Sequence, residues 1–410
     1  MKYGLIGERL GHSFSKLIHE RLSEYKYELV EIPRDGLDEF MTKREFSAIN
    51  VTIPYKESVI PYLDFIDEAA AAIGAVNTVV NRGDRLYGYN TDFYGMTRLI
   101  KNAGIDARDK CAAILGSGGT SKTAEAVLKS LGAGEILRVS RSGRDGAITY
   151  EELIARRSDI GIIVNTTPIG MYPNIYDAPV DISLFESLSG VIDAVYNPLR
   201  TPLVLACSEH DITAVGGLYM LVGQAVRASE IFLGIEYPED TLDNIYEQIR
   251  REKENIVLIG MPASGKSTVG EILANRIGRR FVDTDELIVK RTGIEIREIF
   301  ERYGEPEFRR LEAEIIKEVA AEGSLVIATG GGAILKQENV SALRQNGRLY
   351  FIDRPLEKLI PTESRPLSSD RESIEKRYSE RYGIYSSVCD ERIDADCEPF
   401  EVAEKITENF

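Results

Sequence analysis

Cysteine is scarce in this chain, and its placement argues against two kinds of architecture. Cys111, Cys207, Cys389 and Cys397 are widely scattered with no CxxC pair among them, so reduced thiols are expected rather than a disulfide framework or a zinc site. Histidine is scarcer still: only His12, His19 and His210 are present, which leaves lysine and aspartate as plausible proton carriers. No stretch approaches the roughly eighteen uninterrupted apolar residues of a membrane span. The N-terminal MKYGLIGERLGHS lacks the apolar region and small-residue cleavage site of a secretory signal, so a cytoplasmic location is expected. Gly/Ser-rich and Pro-rich linkers, internal repeats and low-complexity segments are also missing. So is any excess of positive charge. The net charge is −16, divided as −10 over residues 1–252 (26 basic, 36 acidic) and −6 over residues 253–410 (24 basic, 30 acidic). Neither part suits nucleic acid, and small molecules are the expected partners, with oligomerisation left open. Any anionic ligand must then be held by arginines, lysines and backbone N–H groups gathered locally.

What is present is a soluble, globular composition in 410 residues, 43% hydrophobic and 28% charged, enough for two or three domains. Short apolar runs alternate with helical patterns: YGLIG then SKLIHERLSEY, YELVEI then GLDEFMTKR, and AINVTI then a helix near SVIPYLDFIDEAAAAIG. A second series, CAAILG, TAEAVLKSLG, EILRVS, ELIARRSD, IGIIVNTT and VIDAVY, predicts βα units around a parallel sheet. A third opens at IVLIGMP and continues through LVIATGGG and RLYFID. Between the last two, TLDNIYEQIRREKE predicts a charged helix with Ile245 and Ile249 on one face, and a boundary falls near Glu252 to Glu254.

The chain carries two glycine-rich turns. After the strand CAAIL come Gly116, Gly118 and Gly119 and then a helix, the arrangement that lets a backbone approach a pyrophosphate at a helix N-terminus. A lone glycine triplet also marks an ordinary βα turn, so the surroundings decide. The next strand ends in Ser140-Arg141-Ser142-Gly143-Arg144 where an NAD site usually has an acid; arginine there favours a 2′-phosphate and hence NADP. Lys56 in NVTIPYK and Asp92 in GYNTDFYG stand just beyond strands, among turn residues. Alone, each reads as a solvated lysine and an N-cap aspartate.

Together, GHSFS, NVTIPYK, GAVNTVVNRGDRLYGYNTDFYG, LGSGGTSKTA, NTTPIGM, DAVYNPLRTPL and GLYMLVGQA resemble shikimate dehydrogenase, in order over nearly all of residues 1–250. The resemblance implies that Lys56 and Asp92 are the catalytic pair for NADPH-dependent reduction of 3-dehydroshikimate. It implies that Ser13, Ser15, Thr52, Lys56, Asn77, Asp92, Tyr196 and Gln224 hold the substrate. Gly116, Ser117, Gly118, Gly119, Thr120, Ser140, Arg141, Ser142 and Gly217 would hold NADP. Two departures stand out: Lys16 follows the SxS pair where the family usually has proline, and Ser140-Arg141-Ser142 replaces the common Asn-Arg-Thr.

The second turn, Gly260-Met-Pro-Ala-Ser-Gly265-Lys266-Ser267, fits GxxxxGK[ST] between a strand and a helix. Its backbone N–H groups cup phosphates, its lysine reaches the outer ones and its serine hydroxyl joins magnesium. FVDTDELI, GEPEFRRLE, ATGGGAIL and RYGIY follow it and resemble shikimate kinase over about residues 254–410. That resemblance implies ATP binding by Ala263, Ser264, Gly265, Lys266, Ser267, Thr268 and Arg365, with Arg365 in a compact lid formed by TESRPLSS. Lys266 and Asp285 are then catalytic, and Asp285, Arg309, Gly331 and Arg381 bind shikimate. Mg2+ would be held by Ser267 and, through water, by Asp283.

The expected fold is α/β throughout. An N-terminal α/β substrate domain (1–100 and 220–250) and a Rossmann NADP-binding domain (101–219) precede a P-loop kinase α/β/α domain (254–410). The ketone reduced at the first site would become the hydroxyl phosphorylated at the second, giving shikimate 3-phosphate on the route to chorismate and the aromatic amino acids. Two other readings are a dehydrogenase half that prefers quinate and a half that binds nucleotide without catalysis.

Overall fold

The computed structural model describes residues 1–11, 13–360 and 370–410. Its contacts divide the chain into two units, Met1–Arg250 and Arg251–Phe410.

The first unit opens with β1 (Tyr3–Gly7), α1 (Ser15–Leu22), β2 (Tyr27–Glu31), α2 (Leu37–Lys43), β3 (Ala48–Val51), β4 (Phe65–Ile66), α3 (Glu68–Ile73), β5 (Thr78–Arg82), β6 (Arg85–Tyr89) and α4 (Thr91–Asn102). The strands form one mixed sheet in the order β2-β1-β3-β5-β6-β4. β5 and β6 are a hairpin closed by Gly83 and Asp84, both in the left-handed region at φ 60° and 64°, the geometry of a two-residue turn that matches strand twist. Its register sets Thr78 opposite Tyr89. That pairing brings Asn77 back beside the start of α4.

The single helix expected near SVIPYLDFIDEAAAAIG is instead three pieces: a 3-10 turn at Ile60–Tyr62, the strand β4 and the short α3. Pro61 sits inside the 3-10 turn. Asp64 accepts from Leu86 N at 2.8 Å, and Asp67 starts a fresh helix by accepting from Ala69 N at 3.1 Å. Side chains that bond the backbone locally compete with a continuous helix.

The remainder of this unit is β7 (Cys111–Leu115), α5 (Gly119–Ser130), β8 (Glu135–Val139), α6 (Tyr150–Ala155), β9 (Ile160–Asn165), β10 (Gly190–Asp193), α7 (Pro202–Ser208), β11 (Thr213–Val215), α8 (Leu218–Leu233) and α9 (Thr241–Lys253). The second sheet, ordered β11-β10-β9-β7-β8, is parallel throughout. Its strands are apolar runs because helices cover both faces. The order reverses between β7 and its neighbours, so the turn after β7 lies at a topological switch point, where open α/β sheets bind ligands. α8 returns to pack on α4. A Cβ on Gly95 would run into the Met220 carbonyl and meet Gln224 N at 3.0 Å, so only glycine permits this approach. In α9, Ile245 and Ile249 are buried together with Leu242.

The second unit follows with β12 (Asn255–Ile259), α10 (Lys266–Ile277), β13 (Arg280–Asp283), α11 (Thr284–Thr292), α12 (Ile296–Ala321), β14 (Leu325–Ala328), α13 (Gln337–Asn346), β15 (Gly347–Asp353), α14 (Arg371–Val388), β16 (Glu391–Asp394) and α15 (Pro399–Asn409). The parallel sheet runs β13-β14-β12-β15-β16. The first strand, β12, is central and fully buried, which sets the phosphate-type turn at the middle of the sheet's carboxyl edge. α12 is broken at Gly304 (φ 80°, ψ 172°) just before Pro306. The break restarts the helix and fixes the direction in which Phe308, Arg309 and Glu312 project.

Candidate functional site

In the first unit Lys56 and Asp92 meet. Lys56 Nζ donates to Asp92 Oδ2 at 2.5 Å, with the two side chains 14% and 9% exposed. Asp92 lies inside the first turn of α4 rather than in an open turn; the cap is Asn90, which accepts from Phe93 N at 3.1 Å. A carboxylate in a helix's first turn is favoured by the unpaired N–H groups there. The glycine turn comes up against the same lysine: a Cβ added to Gly119 would lie 3.5 Å from Lys56 Cδ. Lys122 on α5 also pairs with Glu57 at 2.8 Å. The dinucleotide-type turn and the Lys56–Asp92 pair therefore adjoin one another.

Asn77 is oriented by its neighbours. Its Oδ1 accepts from Thr91 N (2.7 Å), Thr91 Oγ1 (3.2 Å) and Thr78 Oγ1 (3.1 Å), which commits the oxygen and turns the amide's two donors the other way. Thr52 follows β3, its N–H bonded to Ile6 O at 3.0 Å. Ser13 Oγ accepts from Ser15 N at 3.2 Å and also reaches the Tyr196 phenol, whose pKa burial raises and that bond lowers. Phe14 packs on Tyr196 with ring centroids 5.3 Å apart. Gln224, buried on α8, donates to Leu221 O at 2.9 Å and lies against Gly95, one turn along α4 from Asp92.

The turn residues Gly116, Ser117, Gly118, Gly119 and Thr120 join β7 to α5. Gly116 has φ 114°, and a Cβ there would meet Thr166 Oγ1 at 2.7 Å. This is a bare backbone cradle ending at a helix N-terminus, and it fits a dinucleotide diphosphate. Ser140 Oγ accepts from Gly143 N at 3.2 Å, shaping the turn that holds Arg141 and Ser142 at the surface. Gly217 caps α8 and is pressed against the Ala194 backbone.

Sequence reasoning missed Asp193. It is buried at the end of β10 and accepts from Thr201 Oγ1 (2.7 Å), Val195 N (3.0 Å) and Asn165 Nδ2 (3.0 Å). It thus ties the loop after β9 to the loop after β10. Burial pushes its carboxyl up to about 6 against those three donors.

In the second unit the turn after β12 is knit to itself. Gly260, Ala263 and Gly265 take φ 149°, 64° and 92°, Ser264 N donates to Met261 O at 3.1 Å, and buried Lys266 donates to Gly260 O (2.9 Å) and Met261 O (2.8 Å). Ser267 and Thr268 follow in the first turn of α10. Ser267 Oγ donates to Asp283 Oδ2 at 2.6 Å, while Asp283 Oδ1 caps α11 by accepting from Asp285 N at 2.9 Å. This hard-oxygen pair beside the turn fits Mg2+, which takes few protein ligands and completes its shell with phosphate and water. Arg354, not foreseen from the sequence, lies beside Gly265.

A cavity of about 530 Å³ runs from Ser267, Asp283 and Asp285 to Arg309, Gly331 and Arg381. Arg381 Nη1 donates to Gly331 O at 3.0 Å. Arg309 donates to Glu312 at 2.8 Å and to Glu305 at 3.1 and 3.2 Å. Burial works against its charge, and the two glutamates more than offset that. Glu312 was also missed, although it stands three residues after Arg309 on one helix face. A Cβ on Gly330 would come within 2.6 Å of Asp285 Oδ1 and 2.9 Å of Glu312 Oε1, so both carboxyls converge on that glycine. Burial raises the Glu312 pKa, Arg309 opposes this and Asp285 adds to it. Arg365 and the proposed lid TESRPLSS lie outside the described residues, as does His12.

Both halves of the chain match known proteins. The family model for the shikimate dehydrogenase substrate binding domain matches residues 5–79, and the model for shikimate kinase matches residues 262–410. The shikimate dehydrogenase (NADP(+)) of Clostridium beijerinckii is 38% identical over 267 residues, covering 61% of this chain and 98% of the relative. Shikimate dehydrogenase 1 of Peptoclostridium difficile superimposes with a TM-score of 0.57 at 38% identity, over 61% of this chain and 98% of that one. The Thermus thermophilus shikimate 5-dehydrogenase, solved in complex with NADP(H) and shikimate, gives 0.55 at 25% identity, over 60% and 99%. The chain therefore belongs to the shikimate dehydrogenase family and joins to it a shikimate kinase domain.

Proposed function

We propose that the chain performs two consecutive reactions, reduction of 3-dehydroshikimate to shikimate and phosphorylation of shikimate to shikimate 3-phosphate. The observation that carries the first is the Lys56–Asp92 pair packed on Gly119 of the dinucleotide-type turn. In this reading NADPH, when bound, supplies the hydride. Lys56, held by Asp92, supplies the proton for the carbonyl oxygen and takes it back in reverse. Asn77, with its oxygen already committed, offers amide donors to a substrate hydroxyl. Ser13, Ser15, Thr52, Tyr196 and Gln224 complete the pairing of a polyol acid. Residues 1–100 and 220–250 hold the acid, and 101–219 hold NADP, with Arg141 and Ser142 facing the 2′-phosphate and Gly217 near the nicotinamide.

At the second site, residues 254–410, the nucleotide's phosphates lie along Ala263–Thr268. Lys266 leaves the loop carbonyls it now caps to reach them. Ser267 and Asp283 hold Mg2+, which neutralises phosphate charge when bound. Asp285 accepts the proton of the attacking hydroxyl, and Arg309, Gly331 and Arg381 fix the acid. A cytoplasmic setting suits this reading, because NADPH, ATP and the acids are all water-soluble small molecules. No described helix is long and apolar enough to cross a membrane.

The test is one tube holding the chain, 3-dehydroshikimate, NADPH and Mg-ATP, with NADPH loss followed optically and the product weighed by mass spectrometry. Shikimate 3-phosphate matching NADPH consumption supports both assignments. Shikimate alone removes the kinase assignment, and no NADPH loss removes the reductase one. Parallel turnover of quinate decides between the two acids.

A further inference from the structure

The cavity of the second unit is lined by two cations that the reading above does not use, Lys290 and Arg377. Arg377 lines it together with Arg381. The two lie four residues apart on α14 and so share a helix face. Their surroundings differ from those of Arg309, whose guanidinium is occupied by Glu312 and Glu305. Among the described residues Arg377 makes no ion pair within 4.0 Å, and its hydrogen bonding is a 3.5 Å contact to Ser373 O on its own helix. Burial, and then the charge of Arg381, work against its cation and outweigh the opposing charges of Glu380, Glu305 and Asp370. Two partly desolvated guanidinium groups that repel each other, with no carboxylate within ion-pair distance among the described residues, are stabilised when an anion enters. Arg381 is bonded to the Gly331 carbonyl and the next glycine backs onto Arg309, whereas the magnesium-type pair Ser267–Asp283 belongs to the phosphate turn.

We propose that Arg377 is a substrate-recognition residue of the kinase site, forming with Arg381 a two-guanidinium cradle for the carboxylate of the acid to be phosphorylated. Arg309, already neutralised by two glutamates, then contributes position more than net charge. The inference rests on the reading that shikimate is that acid.

The experiment measures initial kinase rates of the full chain and of its Arg377→Leu and Arg377→Lys variants, with shikimate and with its uncharged carboxamide. Arg377→Leu should raise KM for shikimate about tenfold or more, leaving kcat and KM for Mg-ATP within about twofold. KM for the carboxamide should not move, and Arg377→Lys should recover part of the loss because it keeps the charge without the planar fork. An unchanged KM for shikimate, or an equal rise for acid and carboxamide, overturns the inference. A rise confined to Mg-ATP overturns it as well and assigns the arginine to the nucleotide. If Arg377→Leu does not fold, Arg377→Lys carries the same comparison, since it too must weaken the acid and spare the carboxamide. Failure of the unaltered chain to phosphorylate shikimate removes the substrate reading and the inference with it; activity with an unmoved KM removes the inference alone.

Discussion

The two nucleotide turns of this chain follow similar strands and open similar helices, yet they are held differently. The turn after β12 is self-supporting: Lys266 bonds two of its carbonyls, the Ser264 N–H shares one of them, and Ser267 ties the turn to Asp283. The turn after β7 is bare of charge. Its helix also bonds it, Ser121 Oγ to Gly118 O at 2.7 Å and Thr123 Oγ1 to Gly119 O at 3.3 Å, but Ser117 and Gly118 are exposed and its cation comes from elsewhere, Lys56 against Gly119. A self-supporting turn carries its chemistry in about eight consecutive residues. A bare turn becomes a reductase site only when another sheet delivers the proton carrier.

The sharpest way to break this comparison is to remove one lysine from each site. Lys56→Ala should lower reduction by about 10³-fold, within the range of a lost general acid, and leave shikimate phosphorylation intact. Lys266→Ala should do the converse. Separate assays of the two reactions on each variant check this; loss of both activities in either variant would contradict independent sites.

A finer contrast comes from the glycines that back the reacting groups. Gly330→Ala sets a Cβ against Asp285 and Glu312 at 2.6 and 2.9 Å and must displace a carboxyl. Kinase kcat should fall by about 10²-fold, the cost of misplacing a catalytic group by an ångström or so. In Gly119→Ala the new Cβ meets Lys56 Cδ at an ordinary 3.5 Å, so reductase kcat should stay within about threefold and only KM for NADPH should rise, because the pyrophosphate approaches there. Equal losses of kcat in the two variants would erase the distinction between the turns. Gly95→Ala tests the scaffold rather than the chemistry: forcing α4 and α8 apart should cost about 2 kcal/mol, read as an earlier heat-inactivation midpoint for reduction than for phosphorylation.

These contrasts also explain what was legible in the sequence. The P-loop and the DTD stretch could be read because their contacts are local, with Ser267 and Asp283 separated only by α10 and β13. Lys56 and Asp92 are 36 residues apart and join through a hairpin register, so as isolated residues they looked like surface charges; only the resemblance paired them. The broken helix after Ser58 was announced by Pro61, Asp64 and Asp67, but the alanine run Ala69–Ala72 outweighed them in a reading by periodicity. Asp193 sent no signal, since its function depends on three donors from two loops. Glu312 and Arg377 did send one, an i,i+3 and an i,i+4 spacing to arginines already singled out. The first becomes meaningful once the break at Gly304 shows which face of α12 turns inward, the second once Arg381 is seen to line the cavity from α14.

The smallest expected difference between the units is in acid. All three histidines lie in the first, and His19 is fully buried, its Nδ1 2.6 Å from the Tyr25 hydroxyl and its ring stacked 4.0 Å from Tyr27. Burial lowers its pKa from 6.5 to about 3. The unfolded chain therefore takes up the proton first, so this contribution to stability is complete above about pH 6.5 and is lost as the pH falls below it, by about 1.4 kcal/mol per pH unit. Asp193 runs the other way. With its pKa raised from 3.8 to about 6, its contribution is complete below about pH 4 and is lost as the pH rises through 6. Between pH 6 and 4 the two offset each other. Asp193→Asn keeps a similar shape and removes the titration. It also sets an amide NH2 where Oδ2 accepts from Thr201 Oγ1, a pH-independent loss, so the slope is the readout. The midpoint for heat loss of reduction should fall more steeply with acid in the variant than in the parent across that window. The midpoint for phosphorylation should follow the same curve in both. A reductase slope unchanged by Asp193→Asn would mean that the Asp193 carboxyl is ionised throughout the window and that its three donors outweigh burial.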